Sequence, residues 1–250
     1  MAELTVADVT LAYEEKNVIE NISIELHENE LVCLLGASGG GKTTLFHVIA
    51  GLLKPDRGQI FLNGSDITGD AGHISYMLQK DMLLPYRTIE DNIALSLLIK
   101  GEKKAAARKK VRAYLGQFGL ADTERKYPHQ LSGGMRQRAA LIRTLALDPD
   151  LLLLDEPFSA LDYQTRLTVC DDIASIIKKE HKTAILVTHD LSEAISVADR
   201  VLVLSSRPAS VKTIVPIKID IPVRTPMKSR NAPEFKEYFN RLWKELNKNA

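Results

Sequence analysis

The sequence predicts an α/β fold in which a parallel β-sheet is covered by helices on both faces. Continuous apolar runs, each of a length that suits a buried strand, occur in "DLLLLDEP", "TAILVTHD" and "RVLVLSS". Segments with helical spacing, such as "QTRLTVCDDIASIIKKEH" and "LSEAISVAD", separate them. Apolar strands that alternate with helices are typical of parallel sheets buried on both sides.

The chain before these runs has a different pattern. Residues 4–62 contain short runs such as "LTVADVTLAY" and "ISIEL", in which apolar and polar residues alternate. Alternation predicts strands with one buried face, and we interpret this region as an antiparallel β part. The helical exception here is "KTTLFHVIAGLL", which follows a glycine-rich loop.

Residues 83–147 are predicted to form an inserted helical subdomain. "TIEDNIALSLLI" begins with a Thr/Glu capping pattern, and "KKAAARKKVRAYLGQFG" ends at Gly119. The flanking core would then comprise residues 1–82 and 148–205. Residues 206–250 would extend it, first as a proline-dotted stretch and then as the amphipathic helix "APEFKEYFNRLWKELN". We expect the 250 residues to form a single domain.

Composition excludes several classes of protein. The 33 basic and 32 acidic residues nearly cancel, so no overall field would recruit nucleic acid or anionic lipid. Cys33 and Cys170 stand alone, without the spacing of a zinc site or a disulfide scaffold, which favours a reducing cytosol. Since no apolar run approaches the length of a membrane span, and "MAELTVADVT" does not resemble a signal peptide, we expect the chain not to cross a membrane alone.

The glycine-rich loop "GASGGGKT" fits the phosphate-binding pattern G-x-x-x-x-G-K-[ST]. A strand-like run precedes it and a helical run follows, which is the context that the pattern requires. Backbone amides of such a loop converge on an anion, and a Cβ atom would block their approach. The alternative is a glycine-rich turn with a solvated lysine. The candidate phosphate-binding residues are Gly36, Ala37, Ser38, Gly39, Gly40, Gly41, Lys42, Thr43 and Thr44.

A second candidate is the pair Asp155 and Glu156, at the end of the apolar run "LLLLDEP". Ligands bind at the carboxyl ends of strands in open α/β sheets. One carboxylate there could hold a metal ion while the next polarises an attacking water. Alone, the same three residues "DEP" could be an ordinary helix-capping sequence.

"LSGGM" provides a second loop of bare backbone amides. Ser132, Gly133 and Gly134 stand at the start of a predicted helix, where amides lack partners within the helix and the helix dipole is positive. Yet the chain has one lysine-bearing loop and one acidic strand end. One nucleotide site therefore has two phosphate-binding loops.

In this order the motifs resemble those of the nucleotide-binding subunits of ATP-binding cassette (ABC) transporters. The glycine loop is similar to the Walker A motif of that family, "LLLLDEP" to Walker B and "LSGGM" to the signature sequence. Gln79 resembles the Q-loop residue, "SALD" from Ser159 to Asp162 the D-loop, His189 the switch histidine and Tyr13 the aromatic that stacks on adenine.

The resemblance implies a fold, cofactors and residue roles. It implies a P-loop NTPase (RecA-like) core that binds ATP and Mg²⁺, with Thr43, Gln79 and Asp155 serving the metal. Glu156 would be the general base, with Gln79 and His189 assisting catalysis. Asp162 would lie at the nucleotide.

The resemblance also implies partners. Two copies would pair head to tail, so that each signature loop caps the γ-phosphate held by the other copy. Transmembrane permease subunits would hold the chain at the inner, cytoplasmic face of the cell membrane, and a solute-binding protein would act indirectly. No nucleic acid partner is implied.

The signature reads "LSGGM", where the family more often has Gln as the fifth residue. Met135 removes that amide, but Ser132 and the backbone donors remain, so activity should survive. With "LLPYRTIEDNIAL", this variant resembles the nitrate/sulfonate/taurine branch of bacterial importers, whose members take up small anions or heterocyclic nutrients. The function expected is therefore the ATPase of an importer.

Other interpretations stay open from sequence. The cassette could serve DNA repair or translation, although no long coiled coil and no second cassette are present, or it could bind nucleotide as a regulatory subunit without hydrolysis. Gln79 could be a surface amide, Tyr13 a strand aromatic and His189 an ordinary histidine at a strand end. The basic stretch "EKKAAARKKVR" is interpreted as a solvated helix face.

Overall fold

The computed structural model describes residues 3–159, 161–222 and 224–247. In the first half of the chain the strands are β1 (Leu4–Tyr13), β2 (Lys16–Leu26), β3 (Leu31–Leu35), β4 (Arg57–Leu62), β5 (Ser65–Asp66) and β6 (Ser75–Met77), and the helices are α1 (Lys42–Ile49), α2 (Ile89–Ile99) and α3 (Lys104–Gln117). In the second half the helices are α4 (Gly133–Leu145), α5 (Tyr163–Lys179), α6 (Leu191–Val197), α7 (Pro226–Arg230) and α8 (Pro233–Asn247), and the strands are β7 (Leu151–Asp155), β8 (Thr183–Val187), β9 (Arg200–Leu204) and β10 (Val211–Pro216).

The larger sheet has the strand order β10-β9-β3-β8-β7-β6. Its strands from β9 to β6 run parallel, and β10 joins the edge antiparallel to β9. Every residue of β3, β7 and β8 is buried, which explains why these strands read as continuous apolar runs. The predicted α/β fold with a helix-covered parallel sheet is confirmed.

The smaller sheet is antiparallel, in the order β2-β1-β4-β5, as the alternating runs predict. Alternate residues of β1 and β2 are buried against α1 and one face of the larger sheet. Helices α2 to α6 pack against the other face of the larger sheet. There they contact the alternate residues of its strands that point away from α1. The larger sheet thus separates α1 from α4, and this separation positions the two glycine-rich loops.

Residues 83–147 contain α2, α3 and α4, together with a short 3-10 helix at Pro128–Gln130. The predicted cap is present, because the Thr88 hydroxyl accepts a hydrogen bond from the backbone amide of Asp91 at 3.2 Å. After the last residue of α3, Gly119 has φ +67°, a left-handed conformation that ends the helical run.

Three strands do not follow from the sequence patterns. β5 and β6 have only two and three residues, too few for a periodic signal, and β6 pairs with β7 across 77 positions of chain. β10 lies in the proline-dotted stretch that we expect to be merely extended. Its pairing with β9 places Pro216, which lacks an N–H donor, at the strand end on the sheet edge. The terminal amphipathic helix is present as α8.

No helix within the described ranges is both long and apolar enough to cross a bilayer.

The start of α4 packs closely against α5 through Gly134. A Cβ atom at Gly134 would lie 2.9 Å from Cγ2 of Thr165 and 3.0 Å from Cγ2 of Val169. Replacing Gly134 with Ala should therefore destabilise the fold. Overpacking costs about 1–3 kcal/mol, against a gain of about 1 kcal/mol from removing a helical glycine, which leaves a net loss of up to about 2 kcal/mol. Urea denaturation measures this difference.

Gly116 in α3 provides the matched control, since no heavy atom lies within 4 Å of a Cβ built there. Gly116→Ala should raise the free energy of unfolding by up to about 1 kcal/mol. If Gly134→Ala were stabilising to the same degree, the close packing of α4 on α5 would be wrong.

Candidate active site

The glycine loop connects β3 to α1. Gly41 is the N-cap of α1 with φ +95°, and a Cβ atom there would lie 3.0 Å from the carbonyl oxygen of Val18. Both the left-handed backbone and the contact with β2 therefore require glycine. Gly39 also has positive φ, and a Cβ atom there would have open space around it. Ala37, Ser38 and Gly39 form the exposed tip of the loop, which leaves room for a ligand.

Lys42 lies across this loop and is only 6% exposed. Its Nζ donates hydrogen bonds to the carbonyl oxygens of Gly36 and Ala37, each at 2.9 Å. Burial lowers the pKa of Lys42, while the nearby carboxylates of Glu156 and Asp155 oppose the shift. Within the described part of the chain this buried ammonium donates to carbonyl oxygens of the glycine loop, so its positive charge lies where the loop would bind an anion.

Asp155 ends β7 beside the glycine loop and is 5% exposed. Its Oδ2 accepts hydrogen bonds from the Thr43 hydroxyl at 3.2 Å and from the Tyr76 hydroxyl at 3.0 Å. Burial raises the pKa of the Asp155 carboxyl, although these two hydrogen bonds act in the opposite direction. Burial also raises the pKa of Tyr76, which therefore stays a neutral donor to Asp155.

Glu156 follows with φ +44°, a left-handed conformation that is rare outside glycine. Three hydrogen bonds hold the strained turn. The Glu156 amide donates to the carbonyl oxygen of Val187 at 3.0 Å, and the Glu156 carbonyl accepts from the Ser159 hydroxyl at 3.0 Å and from the Ser159 amide at 3.1 Å. The turn brings the Glu156 carboxylate to 3.2 Å from the Gln79 Nε2 and 3.4 Å from the His189 Nδ1. Strain of this kind clusters at functional sites.

His189 is supported by the loop between β8 and α6. Asp190 is the N-cap of α6, and its Oδ1 accepts hydrogen bonds from the amides of Ser192 at 2.7 Å and Glu193 at 3.2 Å. Beneath it, the Thr188 hydroxyl donates to the buried Glu193 at 2.5 Å. The imidazole of His189 is exposed over this rigid base.

The sequence-predicted residues fall into two groups. Gln79, Glu156 and His189 meet beside the glycine loop, and Asp155 contacts Thr43 within it. Ser132, Gly133 and Gly134 lie at the start of α4, where the Ser132 hydroxyl accepts a hydrogen bond from the Met135 amide at 3.3 Å. α4 packs against β6, three strand positions from β3, a separation of about 14 Å along the sheet.

Three further predicted residues lie around these groups. Tyr13 is at the hairpin end of β1, 49% exposed and paired with Lys16. Thr44 is part-exposed in the first turn of α1. Asp162 is the N-cap of α5, where the hydrogen bonds from Thr165 lower its pKa. In the predicted D-loop "SALD", Ala160 lies outside the described residues.

The oxygen atoms available as metal ligands suit a magnesium ion that binds together with a phosphate group. Thr43 and Asp155 offer one hydroxyl and one carboxylate oxygen, and Gln79 one amide oxygen. Among the described residues no cluster of three His, Cys, Asp or Glu side chains could hold a metal. Mg²⁺ is usually bound by one or two carboxylates together with substrate phosphates and water, which fits this sparse set.

The family described as ABC transporter matches residues 19–159, which include both glycine-rich loops and the acidic pair. The chain belongs to the ABC transporter family. The resemblance predicted from the motifs is thereby confirmed.

Two named relatives support the same assignment. The chain is 42% identical over 219 residues to the formylaminopyrimidine import ATP-binding protein ThiZ of Halalkalibacterium halodurans, covering 87% of this chain and 86% of that protein. It is 36% identical over 230 residues to the aliphatic sulfonates import ATP-binding protein SsuB of Bacillus licheniformis, covering 92% and 87%. ATP hydrolysis is the general activity of this family, and the chain is an ABC-type ATPase that binds ATP.

A solved structure has the same fold. It is an ATP-binding cassette captured as a dimer in a post-hydrolysis state with ADP and phosphate bound, 27% identical, with a TM-score of 0.74 over 86% of this chain and 99% of that one. The P-loop NTPase core with an antiparallel β part and helical insertion is thus the fold of this ABC subunit.

Two residues around the site of this ABC ATPase escape sequence analysis, and a third has a contact that its motif does not predict. Tyr76 donates to Asp155 from 79 positions away, and Arg166 donates to the Leu161 carbonyl at 3.0 Å. Neither belongs to a local pattern. Ser159 belongs to the D-loop pattern, which does not predict its hydrogen bond to the carbonyl of Glu156. One signal in the sequence could have pointed to Tyr76. A carboxylate that is predicted to be buried at a strand end must have hydrogen-bond donors nearby, although the sequence does not say which residues provide them.

Asp155→Asn should stabilise the ligand-free ABC subunit. A carboxyl whose pKa is raised in the folded state is costly when ionised, so at neutral pH its charge opposes folding, and this cost is relieved as pH falls through the raised pKa. Asn still accepts from Tyr76 and Thr43. We expect the melting temperature at pH 7 to rise by roughly 2–4 °C for each ~1 kcal/mol relieved, while stabilisation by ATP with Mg²⁺ is lost.

Asp220, which is exposed, provides the control, and Asp220→Asn should leave both measurements unchanged. A melting temperature for Asp155→Asn below that of the natural protein at pH 7 would contradict the proposed burial cost.

Proposed function

We propose that this chain is the ATP-hydrolysing subunit of a bacterial import system and that it energises solute uptake through separate membrane subunits. The observation that supports hydrolysis most directly is the position of Glu156. A carboxylate held between Gln79 and His189, next to a phosphate-binding loop, can accept a proton from water. A regulatory subunit that only binds nucleotide would have no use for this strained arrangement.

In this proposal the chain's own groups divide the work. The amides of residues 36–43 bind the phosphates, and Lys42 transfers its hydrogen bonds from the loop carbonyls to phosphate oxygens. Thr43, Asp155 and Gln79 hold the magnesium ion, which neutralises phosphate charge when bound. Glu156 orients and deprotonates water, and His189 contacts the γ-phosphate. Tyr13 stacks on the adenine.

The signature loop acts on the nucleotide of a second copy. Ser132 is exposed, and the first backbone amides of α4 lack carbonyl partners within the helix. Because α1 and α4 lie on opposite faces of the larger sheet, these amides are proposed to reach the phosphates of a partner subunit in a head-to-tail dimer. The Asp162 loop would line the same interface. ATP stabilises the closed dimer, and hydrolysis removes that contact.

A groove between the core and the helical subdomain is the proposed contact for the membrane subunit. It contains a cavity of about 340 Å³ whose lining includes Tyr76, Ser96, Ile99 and Arg143. Its rim exposes Ile99 at 78%, and Tyr86 nearby in the chain is 72% exposed. Apolar side chains this exposed mark interaction surfaces. Tyr76 lines the groove and also donates a hydrogen bond to Asp155, so docking there is linked to the catalytic site.

The imported solute is proposed to be a small sulfonate-type anion or a heterocyclic nutrient, since importers of both kinds occur among the relatives. These relatives favour import over a role in DNA repair or translation. The test is a phosphate-release assay on the chain reconstituted with its membrane and solute-binding subunits, using an aliphatic sulfonate and a formylaminopyrimidine. One class should stimulate hydrolysis; stimulation by neither would contradict the proposed solute class.

Glu156→Gln should leave ATP affinity intact, slow hydrolysis by about 100- to 10,000-fold and trap a dimer. Gln keeps the size of the side chain but cannot accept the proton. Single-turnover hydrolysis measures the rate, and light scattering with ATP and Mg²⁺ measures the dimer. An unchanged single-turnover rate would show that Glu156 is not the base.

A further inference from the structure

The C-terminal segment packs on the helix that follows His189. α7 and α8 both contact α6, and α7 also contacts α5. The backbone amide of Met227 donates to Oδ1 of Asp171 in α5 at 2.8 Å, which anchors α7 beside α6. The segment beyond β10 is therefore packed on α6, the helix that His189 precedes.

α6 is poorly stabilised by its own sequence. It has seven residues, too few for a stable isolated helix, and its last turn contains neither a basic side chain nor a glycine cap. The final carbonyl groups of such a helix have no partners within it. They need donors from elsewhere in the chain.

Arg224 supplies these donors. Its Nη2 donates to the carbonyl oxygens of Ile195 at 3.1 Å and Ala198 at 2.6 Å, and its Nη1 lies 3.6 Å from the Asp199 carboxylate. The Arg224 side chain is only 14% exposed. Its charge also complements the negative end of the α6 dipole. A second arginine, Arg230, donates from Nε to the Ser196 hydroxyl at 3.0 Å.

The other end of α6 carries the switch histidine. Asp190 caps the helix directly after His189, so the orientation of α6 determines where the imidazole lies. The His189 Nδ1 is 3.4 Å from the Glu156 carboxylate. A shift of α6 would therefore be transmitted to this contact, because His189 lies only two residues before the first residue of the helix.

We propose that Arg224 is a positioning residue for ATP hydrolysis: by capping α6, it makes the C-terminal segment a clamp that holds His189 in place beside Glu156. The inference rests on the proposed role of His189 at the γ-phosphate. It assigns the extension a function in catalysis beyond packing on the core.

The test compares single-turnover ATP hydrolysis by the full chain carrying Arg224→Ala, His189→Ala or both changes. Displacement of a catalytic group by about 1 Å can cost up to about 100-fold in rate, so Arg224→Ala should slow hydrolysis by about 10- to 100-fold. ADP affinity should stay within about twofold, because ADP lacks the γ-phosphate. With His189 already replaced, removing Arg224 should add less than about twofold, since the two residues act as one unit.

Two variants separate positioning from general loss of structure. Arg224→Lys keeps a donor for one carbonyl and should recover part of the rate. Arg241→Ala, on the exposed side of α8, is the matched control and should behave like the natural chain. If Arg224→Ala does not fold, Arg230→Met measures the same clamp, because it removes the bond to Ser196 and keeps the apolar stem.

The outcomes distinguish the clamp from the role of His189. If His189→Ala hydrolyses ATP at the natural rate, the role of His189 is wrong and the clamp falls with it. If His189→Ala is slow but Arg224→Ala is not, only the clamp is wrong. Equal slowing by Arg224→Ala in both backgrounds, or a parallel loss of ADP binding, would also overturn the clamp.

Discussion

The strand order of the larger sheet keeps the two glycine-rich loops of one chain apart, and the organisation of the active site depends on this separation. The lysine-bearing loop follows β3 and leads into α1 on one face, whereas the signature loop begins α4 on the other face, beside β6. Between β3 and β6 lie β8 and β7. In the proposed function, an active site that uses both loops is therefore assembled from two copies of the chain.

Several features that suit the site for ATP are costly to the ligand-free fold. Lys42 and Asp155 are charged groups that are largely buried, and Glu156 adopts a left-handed backbone conformation that is uncommon for residues other than glycine. The hydrogen bonds from Thr43 and Tyr76 to Asp155 offset only part of this cost. The bound nucleotide can offset more, because its phosphates bring negative charge to Lys42 and the accompanying magnesium ion would bring positive charge to Asp155. Part of the free energy of nucleotide binding thus compensates for the cost of holding these groups in place in the ligand-free protein.

The sequence predicts the elements whose signals are local. The glycine loop, the acidic end of β7 and the helix cap at Thr88 each depend on neighbouring residues, and each is present in the structure. The glycines of the signature loop have an additional role that sequence analysis misses, because the need for Gly134 arises from Thr165 and Val169 on another helix. Likewise Tyr76 and Arg224 act across 79 and 26 or more positions of chain, where no periodic pattern connects donor and acceptor.

The central claim is that one intact site requires the glycine loop of one copy and the signature loop of another. It is tested most directly by mixing two inactive variants, Lys42→Ala and Ser132→Arg, in equal amounts and measuring ATP hydrolysis. Random pairing gives mixed dimers with one intact composite site, so activity should return to as much as about a quarter of the natural rate. Adding the double variant to either single variant should restore nothing. If the mixture of the two single variants stays inactive while both still bind and form dimers, each chain does not complete the site of its partner.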